Sequence, residues 1–81
     1  MPVAVERRIT FFADRPDPTR PLWVGFVEIV VRMADGRQAI DVHALDDGYG
    51  TEAAATGAAE AWVAQYKAAH DGGPPFAIVR L

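Results

Sequence analysis

LWVGFVEIVVRMADGRQAIDVHALD, residues 22–46, decides the fold. Two runs rich in valine and isoleucine flank Asp35-Gly36, a pair favoured at the two positive-φ positions of a type I′ hairpin turn. The stretch therefore predicts two antiparallel strands, Leu22 to Met33 and Arg37 to Asp46. With Asp35 and Gly36 at the turn, Ala34 faces Arg37, Val31 faces Ile40, Ile29 faces Val42, and Val27 faces Ala44. These last three apolar pairs are expected to face the core. The opposite face then receives Arg32 with Ala39, Val30 with Asp41, Glu28 with His43, and Phe26 with Leu45.

Upstream, Val3 to Ala13 alternates in the manner of a strand, with Ile9 and Phe11 on one face and Arg8, Thr10 and Phe12 on the other. Three prolines, Pro16, Pro18 and Pro21, follow in the connecting segment. Proline cannot donate to a sheet ladder, so this segment predicts a stiff extended loop.

Downstream, Thr51 to His70 has helical spacing, with Ala55, Ala58, Ala59, Trp62, Tyr66 and Ala69 on one stripe and Trp62 at its centre. Thr51 is the expected N-cap and Glu52 lies near the positive end of the helix dipole. Asp71-Gly72-Gly73 and Pro74-Pro75 end the helix. Phe76 to Leu81 is a short apolar run. A right-handed crossover places it beside the first strand and parallel to it. The predicted fold is α+β: a sheet of order 3-2-1-4, three strands antiparallel and a short fourth, with one helix on one face, forming a single domain over residues 1–81.

Composition narrows the function. With 51% hydrophobic and 23% charged residues the chain has an ordinary globular balance. It lacks cysteine, which removes disulfides, thiolate nucleophiles and cysteine-ligated zinc, and suits a reducing compartment. No apolar run approaches the roughly 18 residues of a membrane span, so a cytoplasmic protein is expected. The net charge of −3 is opposite in sign to the footprint of an unaided nucleic-acid binder. Serine is absent, and Thr10, Thr19, Thr51 and Thr56 each have a structural reading as strand, loop, cap or helix surface. Gly48 and Gly50 lack the lysine and parallel strand of a phosphate loop. No cofactor is implied.

Two candidate sites remain. Glu28, Asp41 and His43 share the outer face in the type I′ register, and three such groups could hold a metal ion or position a proton. They also read as a cross-strand ion pair worth at most about 1 kcal/mol. The second is the outer face near the loop end, where Phe12, Val24, Phe26 and Leu45 are expected to cluster with Leu22 at the margin. Contiguous apolar patches of this kind mark interaction sites, so a protein partner or a homodimer is expected there, unless the proline-rich loop folds over it.

The segment Asp47-Gly48-Tyr49-Gly50-Thr51-Glu52-Ala53-Ala54, leading into an alanine-rich helix with Trp62 and Tyr66 and closing on Gly73-Pro74-Pro75, resembles small bacterial domains of unknown function. It is similar as well to the N-terminal domain of HicB-type antitoxins, with their β-β-β-α-β order, over about 30 residues. The chain departs from those proteins in its uninterrupted Arg37 to Asp46 strand, where they carry a proline-glycine segment. With residues 1–81 taken up by the one domain, the DNA-binding domain they usually append is not expected within them. The resemblance implies neutralisation of a small basic ribonuclease toxin. The leading expectation is a non-enzymatic interaction or accessory module, with an enzyme using Glu28, Asp41 and His43 as the third.

Overall fold

The computed structural model describes residues 3–80. Its elements are β1 (Ala4–Asp14), β2 (Trp23–Met33), β3 (Gln38–Tyr49), α1 (Glu52–Ala69) and β4 (Phe76–Arg80). They form one four-stranded sheet in the order β3-β2-β1-β4 with the helix packed on one face. β1 is antiparallel to β2, β2 is antiparallel to β3, and β4 is parallel to β1. This is the predicted α+β architecture and strand order. Leu81, the expected end of the fourth strand, lies outside the described residues.

The helix starts where its chemistry directs. Thr51 has extended backbone and its Oγ1 accepts from the Ala54 amide at 3.1 Å, leaving Glu52 in the first turn. The buried hydroxyl of Thr56 donates to the Glu52 carbonyl at 2.9 Å, so its burial is compensated. At the other end His70 caps the helix, its amide donating to the Tyr66 carbonyl and its ring stacked on Tyr66 with centroids 4.0 Å apart. The helix seats on β1 and β2 and touches β3 only marginally. Its buried stripe is Ala55, Thr56, Ala59 and Val63, whereas Trp62, expected at the centre, is half-buried on the flank between His43 and Tyr66. Small side chains win the centre because the helix lies close to the sheet. A Cβ on Gly25 would lie 2.9 Å from the Ala55 carbonyl oxygen and 3.2 Å from the Ala59 Cβ. Ile9, Phe11, Val27 and Ile29 complete the core from the sheet side.

The β2–β3 register differs from the expected one by one residue. Val30 pairs with Ile40, Ile29 with Asp41, Glu28 with Val42, Val27 with His43, and Phe26 with Ala44. The cause is the turn. The Gly36 amide donates to the Met33 carbonyl at 3.0 Å and the Met33 amide donates to the Arg37 carbonyl at 2.8 Å. The loop is therefore the three residues Ala34-Asp35-Gly36, with Gly36 at φ +90° and no positive φ among the described non-glycine residues. That is a type I turn followed by a left-handed glycine, not the two-residue type I′ turn. The Asp35 carboxylate steadies it, accepting from the Arg37 amide at 3.0 Å and pairing with the Arg37 guanidinium at 2.7 Å.

One residue of register moves every β3 side chain to the other face. Ile40 and Val42, expected in the core, are 60% and 61% exposed on the face away from the helix. The helix does not extend over all the strands. It covers β1 and β2, so the apolar pattern of β3 has little weight against the turn.

Two glycines are opposite in effect. Gly25→Ala should destabilise the fold by about 1–3 kcal/mol through overpacking against backbone. Gly57, inside the helix with nothing near its would-be Cβ, should instead gain about 0.5–1 kcal/mol on Gly57→Ala. Urea midpoints at constant m-value measure both.

Candidate functional site

The sheet face away from the helix can be laid out from the pairing, because opposed residues share a face. Ile9, Phe11, Val27 and Ile29 point to the helix. Their neighbours Arg8, Thr10, Phe12, Phe26, Glu28 and Val30 therefore point away. Across the sheet this face carries the rows Ala44, Phe26, Phe12; then Val42, Glu28, Thr10, Val79; then Ile40, Val30, Arg8, Ala77; and Gln38, Arg32, Glu6 near the hairpin tip. Among the described residues no element packs over it.

The face is apolar at one end and across its middle. Phe12 and Phe26 stack with centroids 5.4 Å apart and planes 13° from parallel. Ile40 and Val42 are largely exposed, Val79 is exposed over less than half its surface, and Val30, on the same face, is buried among its neighbours. The charged groups form a mixed cluster toward the tip, where Arg32 pairs with Glu6 at 3.0 Å.

Of the residues expected at the interaction surface, Phe12, Val24 and Phe26 lie on this face. Leu45 does not. It packs against the core from the helix side, where a Cβ on Gly25 would touch its Cδ1. Besides the register change, β3 bulges here: Val24 pairs with Gly48 while Phe26 pairs with Ala44, so Leu45, Asp46 and Asp47 together face Gly25. Ile40 and Val42 were missed for the reason that misplaced them, the turn. The signal for them was Ala34-Asp35-Gly36, which suits a three-residue loop with its glycine left-handed.

The expected constellation of Glu28, Asp41 and His43 is broken by the same change. Glu28 opposes Val42 on the open face, whereas Asp41 and His43 oppose Ile29 and Val27 on the helix side. His43 lies against Trp62, ring centroids 5.1 Å apart. Among the described residues no group of three histidine, aspartate or glutamate side chains is arranged to hold a metal ion. Along the helix flank, His43, Trp62, Tyr66 and His70 form a continuous row of rings, stacked from Trp62 to His70 and tilted at His43. Beside it a shallow groove runs between β3 and α1, with Asp46, Asp47 and Tyr49 on one wall and Ala61 and Gln65 on the other. No helix is long and apolar enough to cross a membrane among the described residues.

The proline-rich loop does not fold over the open face. Residues 14–22 are exposed and bond among themselves. Asp17 Oδ1 accepts from the Thr19 hydroxyl at 2.6 Å and from the Thr19 amide at 3.0 Å, and Arg15 donates to the Pro18 carbonyl at 3.0 Å. The Thr19 hydroxyl, and then its amide, hold the Asp17 carboxyl below its ordinary range. A depressed carboxylate favours the folded loop above the ordinary carboxylate pKa and loses that preference as pH falls through the depressed value. Thr19→Val should raise the Asp17 midpoint in a carboxyl NMR titration, and an unchanged midpoint would contradict the bond.

No protein-family model, no curated protein and no solved structure matches the chain.

Proposed function

We propose that this chain is a non-enzymatic interaction module, working in the cytoplasm, that binds protein through the open face of its sheet. One observation carries the reading. Antiparallel sheets with one solvated face ordinarily alternate apolar inward and polar outward. Here the outward positions of all four strands include exposed large apolar residues or a stacked aromatic pair: Ile40 and Val42 on β3, Phe26 on β2, Phe12 on β1 and Val79 on β4. A contiguous patch of this kind on a small chain is typical of an interaction surface. Glu28 lies on one face of the sheet and Asp41 and His43 on the other, so this trio lends no support to the enzyme alternative.

A second reading, a HicB-like antitoxin, is favoured by the β-β-β-α-β order and the Thr51-capped helix entry. The net charge of −3 would suit a small basic ribonuclease as its target.

Photo-crosslinking separates these possibilities. A benzophenone amino acid at Val42, on the open face, should form protein adducts in cells, while the same group at the exposed helix position Ala68 should form few. Equal, low yields at both positions would defeat the interaction-module reading. Adducts with one small basic protein would select the antitoxin reading.

A further inference from the structure

We infer that the open face is the contact between two copies of this chain, packed sheet on sheet about a two-fold axis. This rests on the reading of that face as an interaction surface and names its occupant. The first support is area. A folded monomer of 8.8 kDa is expected to expose about 4,800 Å². This chain exposes 5326 Å², an excess of roughly 500 Å² on that scaling. Its radius of gyration is 14.2 Å, against about 12 Å for a compact chain of this length. Strands of 11 and 12 residues make the open face about 36 Å long, and three of them span about 15 Å. Two such faces would bury on the order of 1,100–1,300 Å², the lower edge of what a stable interface needs. The excess surface and the available face are thus of similar size.

The second support is charge. Two copies at −3 each repel, so a patch of balanced local charge is where they meet at least cost. The middle and tip of the open face are balanced, Glu6 and Glu28 against Arg8 and Arg32, with Asp14 apart from them at the loop end beside Val24. Glu6 and Arg32 pair within the chain at 3.0 Å. Arg8 and Glu28, diagonal neighbours on adjacent strands, form no ion pair with each other or with any other described residue. In an isologous contact every interaction occurs twice, so one copy's Arg8 can meet the other's Glu28 and the reverse. A strongly basic or strongly acidic partner finds no net charge across that middle and tip to attract it. A second copy finds its own complement.

Sedimentation equilibrium of the purified chain, from micromolar to millimolar concentration, tests this. The wild type should sediment at twice 8.8 kDa. Val42→Asp and Ile40→Asp alter side chains that are solvent-exposed in the single copy, so each should keep the wild-type circular dichroism spectrum. Each should weaken the dimer by about 100-fold or more, as burying an unpaired charge at an interface does. Ala68→Asp, on the far side of the helix, should dimerise as the wild type does. Arg8→Glu and Glu28→Arg should each weaken association and, combined, restore it. A wild type that stays at 8.8 kDa throughout overturns the inference, and so does a dimer indifferent to Val42→Asp and Ile40→Asp. A monomeric purified chain whose Val42 position still crosslinks to a different protein in cells would overturn the second copy alone and leave the interaction-module reading standing.

Discussion

The contact between Gly25 and the first turns of the helix is the constraint on which the rest of this molecule depends. A side chain at Gly25 would run into the Ala55 carbonyl, so its absence lets the helix lie directly on β2. Ala55 and Ala59 keep that approach close, and Ile9, Phe11, Val27, Ile29 and Val63 fill what remains. A helix seated this low has a narrow footprint. It shields β1 and β2 and leaves β3, the longest strand, almost uncovered. The core is therefore small, and much of the apolar surface of the chain has been left outside it.

The far end of the helix is held by a different device. The Arg7 guanidinium donates to the carbonyls of His70 at 3.1 Å, Gly72 at 2.9 Å and Pro74 at 2.9 Å, and lies 3.7 Å from the centre of the Phe76 ring. Helix termini leave carbonyls without partners, and one planar group with five donors satisfies several at once. In the same stroke it ties β1 to the helix exit and to the start of β4. The Arg7 amide adds a bond to the Pro75 carbonyl at 3.2 Å, which begins the parallel pairing of β1 with β4. Gly25 and Arg7 thus define the two ends of the helix against the same pair of strands.

What could be read from the sequence was whatever local chemistry or chain handedness decides. The Thr51 cap, the glycine-proline exit and the 3-2-1-4 order follow from side chains within a few residues and from the right-handed crossover. What could not be read depended on tertiary position. Trp62 looked central because it is the largest residue on its stripe, yet closeness to the sheet gave the centre to alanine. Nothing in the neighbouring sequence marks Arg7, because the carbonyls it serves lie more than 60 residues away. Ile40 and Val42 looked like core because Asp35-Gly36 reads as a two-residue turn, and the helix does not extend to β3 to hold them inward.

That last point joins the fold to the function. Had the turn been the two-residue type, Asp41 and His43 would have shared a face with Glu28, and Ile40 and Val42 would have faced inward toward a helix that scarcely reaches them. The third loop residue, with Gly36 left-handed and Asp35 bonded to Arg37, reverses both outcomes together. It sends the polar pair to the rim of the helix side, where solvent and the Trp62 ring receive them at little cost. It also sets Ile40 beside Val30 and Val42 beside Glu28, extending the apolar face from Phe12 and Phe26 to the sheet edge. A chain this short has little apolar surface to leave outside its core. The register that disperses its one acid-histidine constellation is the same register that gathers that surface onto a single face.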